Sequence, residues 1–115
     1  MLNDGPARRT LAVEQLRAPH LIDSEVAHGP RRSVSGQRLT ADAAWIALDA
    51  WRRLGMMRYA VFTLLDPVWE LRNKVSACDA SYIALAELLG CSLLTADARL
   101  GRAPGIRCPI TVVPR

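Results

Sequence analysis

Residues 75–86 read VSACDASYIALA and residues 91–100 read CSLLTADARL. In the first stretch, Ser76 followed three residues later by Asp79 matches the capping-box pattern of a helix start, and Gly90 is a typical residue at a helix end. The second stretch opens with an almost uninterrupted apolar run, which is typical of parallel strands covered on both faces. The two stretches therefore predict a helix that runs directly into a buried parallel strand.

The N-terminal part of the chain predicts three further elements. We expect a short helix within residues 1–18, because apolar residues recur there at helical spacing. Residues 20–22 predict a brief extended piece, after which Asp23 or Ser24 caps a new helix. The pair Gly29-Pro30 predicts a kink or an end of that helix, since an interior proline removes a hydrogen bond.

The remaining residues continue the alternation of helices and strands. Thr40 is the predicted N-cap of a helix that stops at Gly55. Composition and periodicity predict a strand at residues 58–63, a helix at residues 65–75 and a last strand at residues 110–113. This order predicts an α/β fold, a sandwich of three layers around a mostly parallel sheet.

Length and composition limit the classes of protein that the chain can belong to. The chain has 115 residues, half of them hydrophobic and 23% charged, so we expect a single domain over residues 1–115. No apolar run approaches the roughly 20 residues of a membrane span, and no signal peptide is recognisable. We therefore expect a cytoplasmic protein without a membrane partner.

Charge and cysteine content give weaker indications. All but one of the fifteen Lys and Arg residues are arginine, and the formal net charge is +4. This charge permits nucleic-acid binding without requiring it. The three cysteines are odd in number and widely spaced, which argues against a disulfide framework and a structural zinc site.

Three acidic residues stand where a parallel α/β sheet places functional groups, just after strands or at helix starts. They are Glu25, Asp79 and Asp97. Carboxylates that converge at a sheet edge form a hard oxygen site suited to Mg²⁺ or Mn²⁺, and such a site supports metal-assisted phosphodiester hydrolysis. Each acid also has a structural interpretation. Asp79 can complete the capping box, Asp97 can cap the following turn, and the Glu25 carboxylate can be stabilised by the positive end of a helix dipole.

The residues around these acids resemble those of the PIN-domain nucleases, and in particular the VapC toxins of bacterial toxin–antitoxin pairs. Residues 79–86 match the D-A-x-Y-x-A-L-A helix of those toxins, and residues 93–100 match their L-L-T-x-D-x-x-L strand end. Residues 19–26 are similar, more weakly, to the segment that bears the family's glutamate. Within the matched helix, the spacing of Tyr82 predicts a core residue. The resemblance extends from about residue 19 to residue 113.

The resemblance implies a PIN-like fold and a Mg²⁺-dependent endoribonuclease toxin, with Mn²⁺ as the other candidate ion. Glu25, Asp79 and Asp97 take the places of three members of the family's acidic quartet, as catalytic residues and metal ligands. Thr95 matches the hydroxyl residue beside the last acid. The resemblance also implies an RNA substrate, a VapB-like antitoxin and a homodimer, and we expect Trp45 to contact the antitoxin.

Two features depart from the family pattern. The family begins with an apolar strand that ends in an aspartate followed by Ser or Thr at the next-but-one position, whereas residues 1–5 here read MLNDG. No apolar strand precedes Asp4 to aim it at the site. We therefore expect an N-terminally truncated domain without the first strand, and in-frame upstream codons that encode this strand. The second departure is Gly29-Pro30, where relatives continue a helix.

Two other interpretations stay open. A catalytically silent PIN-like module that binds an antitoxin or a second copy of itself is favoured by the missing first acid. A basic DNA-binding helical protein built around Arg31, Arg32 and Arg38 is weaker, because no helix-turn-helix pattern follows these arginines.

Overall fold

The computed structural model describes residues 16–114, which form alternating helices and short parallel strands. The strands are β1 (Arg17–Pro19), β2 (Met57–Tyr59), β3 (Leu93–Thr95) and β4 (Ile110–Val112). The helices are α1 (Ile22–Ser35), α2 (Ala41–Arg52), α3 (Leu65–Glu70) and α4 (Ala77–Leu89), with 3₁₀ helices at Val61–Leu64 and Ala98–Arg102. The predicted α/β class with parallel strands is confirmed.

The strands form two separate parallel pairs. β1 pairs with β2, with Arg17 opposite Met57, and β3 pairs with β4, with Leu93 opposite Ile110. Within residues 16–114 no strand joins the two pairs. The prediction that the first strand is missing concerns residues 1–15, which lie outside the described residues, so it stays a prediction.

Helix α4 connects the two strand pairs, since it contacts both β1 and β3 as well as α3. The Ser76 hydroxyl accepts a hydrogen bond of 3.1 Å from the Asp79 backbone N–H, and Gly90 ends the helix at a φ of +65°. Ala80 and Ile83 are fully buried against Leu71, Leu93 and Leu100, and the next turn packs against Leu64. The small side chains of the buried alanines allow α4 to pack closely against these neighbouring elements.

The first helix differs from its prediction at both ends. It begins at Ile22 with Leu21 at the N-cap position and no side-chain cap, so neither Asp23 nor Ser24 caps it as predicted. The Asp23 carboxylate accepts hydrogen bonds from Trp51 and Arg58 instead. The helix does not end at Gly29-Pro30 but continues to Ser35. The ring of Pro30 is buried, and this burial offsets the hydrogen bond that the proline cannot donate.

The predicted extended piece at residues 20–22 is displaced towards the N-terminus, to Arg17–Pro19. The predicted helix within residues 1–18 is wrong at residues 16–18, and residues 1–15 lie outside the described residues. The His20 N–H donates to the Tyr59 carbonyl at 2.8 Å. Pairing with β2 therefore fixes this segment as a strand.

Two elements later in the chain are shorter than predicted. Thr40 is confirmed as the N-cap of α2, although the helix ends at Arg52 rather than at Gly55. The strand predicted at residues 58–63 ends at Tyr59, and the Thr63 hydroxyl donates to the Ala60 carbonyl at 2.8 Å. Such a local bond favours a tight turn over an extended strand.

Helix α3 and strand β3 are also shorter than predicted. Helix α3 ends at Glu70 instead of residue 75, and β3 begins at Leu93 rather than Cys91. The Arg72 guanidinium donates to the Trp69 carbonyl at 2.9 Å, which supplies a partner for one of the carbonyls at the end of α3. No helix within residues 16–114 is long and apolar enough to cross a bilayer.

We expect Ile83→Ala to lower the free energy of unfolding by about 2–5 kcal/mol, because Ile83 is fully buried in the core that α4 forms with Leu71, Leu93 and Leu100. The matched control is Leu88→Ala on the same helix, where the side chain is 69% exposed and the expected change is within about 0.5 kcal/mol. Urea unfolding followed by circular dichroism measures both changes. Equal losses for the two variants would contradict the central position of α4.

Candidate functional site

The three predicted acids lie on three different elements. Glu25 lies in the first turn of α1, Asp79 in the first turn of α4, and Asp97 directly after β3, where it is the N-cap of a 3₁₀ helix. Each placement follows from local sequence, because acidic side chains are stabilised at helix N-termini. The structural and the functional interpretations of these acids are therefore compatible.

Glu25 is connected to α4 through a tyrosine. The Tyr82 hydroxyl donates a short hydrogen bond to the Glu25 carboxylate, across 57 positions of sequence. Burial raises the pKa of Tyr82, and the hydrogen bond to Glu25 raises it further. The ring of Tyr82 packs against the core around Ile83, as predicted. Sequence reasoning missed that its hydroxyl fixes the carboxylate of Glu25.

Asp97 is held by its own turn and by Arg99. Its carboxylate accepts hydrogen bonds from the Arg99 backbone N–H at 2.9 Å, from Nε at 3.1 Å and from Nη2 at 3.0 Å. The Asp97 N–H donates to the Thr95 hydroxyl at 3.0 Å, so Thr95 has a local partner. The bond to Asp97 raises the pKa of Arg99, and the negative charge of Asp79 contributes to the same rise.

Arg99 is therefore bound by Asp97, whereas Asp79 acts on it only weakly and through its charge. Tyr82 follows Asp79 by one helical turn on α4. The Tyr82 hydroxyl that binds Glu25 therefore belongs to the same N-terminal part of the helix as Asp79. Within residues 16–114, however, no three His, Cys, Asp or Glu side chains lie close enough to hold one metal ion together. The donor chemistry fits a divalent cation, because hard carboxylate oxygens at Asp79 and Asp97 already attract a positive charge.

A second charged cluster, which sequence reasoning missed, lies at Asp23. Its carboxylate accepts hydrogen bonds from Trp51 Nε1 at 2.9 Å and from Arg58 Nε and Nη2 at 2.5 and 2.8 Å. Arg58 also donates to the Met56 carbonyl at 2.9 Å. The Arg58 guanidinium holds the pKa of Asp23 below its ordinary value of 3.8, against the effect of burial. This cluster joins α1, α2 and β2.

A groove of about 420 Å³ lies beside this cluster. Its lining residues are Asp23, Trp45, Leu48, Trp51, Arg52 and Arg58. Trp51 is buried, whereas Trp45 is 55% exposed, with the Arg52 guanidinium 5.3 Å from the centre of its ring. The groove thus presents an aromatic wall and arginine side chains to a ligand.

A separate apolar face lies on the 3₁₀ helix of residues 61–64 and on α3. Phe62, Leu65 and Trp69 are 75%, 56% and 67% exposed and follow each other at helical spacing. The Arg72 guanidinium lies 4.8 Å from the ring centre of Trp69. Trp69 therefore resembles Trp45 in exposure and in its arginine neighbour.

We expect Asp23→Asn to lower the free energy of unfolding by about 1 kcal/mol at pH 7, since solvent screens a half-exposed ion pair. The pKa of Asp23 is lowered by folding, so its stabilisation is present above pH 4 and is lost as the pH falls through the folded pKa. The difference between wild type and variant should shrink accordingly in urea unfolding below pH 4.

The control is Glu70→Gln, the removal of an exposed acid on α3, which should change the free energy of unfolding at pH 7 by no more than about 0.5 kcal/mol. A difference for Asp23→Asn that stays constant between pH 7 and pH 3 would contradict the ion pair with Arg58.

Comparisons with known proteins identify the family of the chain. The sequence profile of the PIN domain matches residues 3–106. The chain is 53% identical over 115 residues to the VapC ribonuclease Mb0985 of Mycobacterium bovis and to Ribonuclease VapC9 of Mycobacterium tuberculosis, covering all of this chain and 91% of each relative. It is 44% identical over 97 residues to Ribonuclease VapC1 of M. tuberculosis, covering 84% of this chain and 73% of that protein. The chain therefore belongs to the PIN-domain family and, within it, to the VapC-type ribonucleases.

Proposed function

We propose that the chain is a divalent-metal-dependent endoribonuclease that hydrolyses RNA phosphodiesters in the cytoplasm as the toxin of a toxin–antitoxin pair. The observation that supports this most directly is the placement of two carboxylates at the start of α4 and just after β3: Asp79 lies in the first turn of the helix and Asp97 follows the strand against which that helix packs. Family membership supplies the reaction class, because the relatives are named ribonucleases.

The proposed metal ligands are Asp79, Asp97 and Glu25, and the proposed ion is Mg²⁺ or Mn²⁺. When bound, such an ion lowers the pKa of a water molecule and stabilises charge that develops on a phosphate. Asp79 and Asp97 supply hard oxygen ligands of the kind this ion prefers. Tyr82 keeps the Glu25 carboxylate oriented through its hydrogen bond. The arginine-rich surface attracts the RNA backbone, since guanidinium groups bind phosphates bidentately.

The alternative is a catalytically silent PIN-like module that binds an antitoxin or a second copy. The lack of a three-residue metal cluster within residues 16–114 favours this alternative. Cleavage of RNA that depends on both divalent metal and the proposed ligands distinguishes the two functions.

The proposed protein partners are an antitoxin and a second copy of the chain. For the antitoxin we propose the groove with Trp45, because a concave apolar surface with a central tryptophan is typical of interface hot spots. For the homodimer we propose the face of Phe62, Leu65 and Trp69, since large exposed apolar side chains on one face mark protein interfaces.

We expect Asp79→Asn and Asp97→Asn each to reduce Mg²⁺-dependent cleavage of RNA at least about 100-fold, because each removes a ligand charge while keeping the side-chain shape. The measurement is the rate of cleavage of a mixed RNA pool with Mg²⁺ and with EDTA. Circular dichroism should show the same fold for both variants.

The matched control is Asp66→Asn, the same substitution in the first turn of α3, which should cleave RNA at the wild-type rate. If Asp79→Asn and Asp97→Asn also cleave at that rate, the assignment of the site is wrong. If the wild-type chain does not cleave RNA with Mg²⁺, the silent module is the better answer.

We expect Trp45→Ala to weaken binding of the protein encoded beside this gene about 30-fold, the effect of losing a central hot spot. Trp69→Ala removes an equally exposed tryptophan with its own arginine neighbour and should leave this affinity unchanged. Isothermal titration calorimetry measures the affinity. Light scattering measures the mass, which should fall to that of a monomer only for Trp69→Ala. The reverse pattern would contradict both assignments.

A further inference from the structure

Arg99 binds Asp97 through both edges of its guanidinium fork. Nε donates to Oδ1 at 3.1 Å and Nη2 donates to Oδ2 at 3.0 Å, so both carboxylate oxygens have a cationic donor. The side chain of Arg99 is 85% exposed, whereas that of Asp97 is 30% exposed. The acid is therefore held in place while its cationic partner stands at the solvent side.

This position makes Arg99 a direct competitor of a metal ion at Asp97. A divalent cation needs the same carboxylate oxygens that accept the two guanidinium bonds. The guanidinium is itself a fixed positive charge, because arginine stays protonated in proteins. As long as Arg99 stays paired with Asp97, its positive charge weakens the binding of a metal ion to that carboxylate.

Displacement of Arg99 costs little. Exposed ion pairs contribute at most a small stabilisation, since water solvates both charges well. Arg99 stands in a 3₁₀ helix two residues after Asp97, so a displaced side chain stays beside the acid. A guanidinium fork that fits a carboxylate also fits a phosphate in the same bidentate manner.

We propose that Arg99 is an internal counter-ion that occupies Asp97 in the metal-free protein, is displaced by the divalent cation and then binds a phosphate of the RNA substrate. The inference rests on the proposed metal-dependent ribonuclease function. It assigns to Arg99 a role that links metal binding to substrate binding. When the metal ion binds Asp97, the Arg99 guanidinium dissociates from that carboxylate and can bind a phosphate of the RNA.

The first experiment measures Mn²⁺ affinity by isothermal titration calorimetry in the absence of RNA. Arg99→Gln should bind Mn²⁺ about two- to fivefold more tightly than wild type, the range that corresponds to loss of an exposed ion pair. Arg99→Lys keeps the charge without the fork and should fall between the two.

The matched control is Arg102→Gln, which removes the same charge from the same 3₁₀ helix. Within the described residues Arg102 makes no ion pair with a carboxylate, so its effect on the Mn²⁺ affinity should be the smaller of the two. Equal gains in affinity for Arg99→Gln and Arg102→Gln would overturn the proposal, because they would reflect net charge alone.

The second experiment measures steady-state RNA cleavage at saturating Mn²⁺. Arg99→Gln should raise KM for RNA about fivefold with a smaller change in kcat, and Arg102→Gln should not. An unchanged KM for Arg99→Gln overturns the transfer of Arg99 to the RNA phosphate.

The wild-type titration separates failure of the inference from failure of the proposed function. If wild type binds Mn²⁺, Asp97→Asn does not, and Arg99→Gln matches wild type, the counter-ion role is wrong while the metal site stands. If wild type does not bind Mn²⁺ at all, the metal-dependent function fails, and the role of Arg99 fails with it.

Discussion

Packing of helix α4 against both strand pairs is the constraint on which the rest of the structure depends. Within residues 16–114 the two pairs share no hydrogen-bonded strand, whereas α4 contacts both β1 and β3. Its small residues bring the helix close to the strands, and Ile83 is fully buried in the core with Leu93 and Leu100. Because Asp79 and Tyr82 belong to this rigid helix, their positions are set by the core rather than by a loop.

The fold also brings acidic side chains from other elements to helix α4. The bond from Tyr82 brings Glu25 of α1 to one side of α4, and Asp97 follows the strand β3 against which the helix packs. Arg99 then neutralises the acid next to it in sequence. Under the proposed function, a divalent ion at Asp97 would replace the exposed and weakly held charge of Arg99.

The sequence predicted the elements that local chemistry determines. Ser76 and Thr40 are N-caps, as their side-chain oxygens allow, and Gly90 adopts the positive φ that favours glycine. Predictions that ignored tertiary contacts were less accurate. Asp23 or Ser24 was expected to cap a helix, but both lie inside it, and Arg58, distant in sequence, binds Asp23. Residues 17–19 form a strand only because β2 lies alongside. The acids were recognisable from their motifs, whereas the partners Tyr82 and Arg99 depend on geometry that no spacing reveals.

Diffraction from crystals of the chain soaked in Mn²⁺, recorded at the manganese absorption edge, tests the central claim most directly. The account predicts an anomalous peak bonded to carboxylate oxygens of both Asp79 and Asp97 at about 2.0–2.3 Å, with the Arg99 guanidinium no longer paired with Asp97. An ordered Mn²⁺ ion bound by other residues, or Asp97 still paired with Arg99 and no manganese peak beside it, would contradict the account.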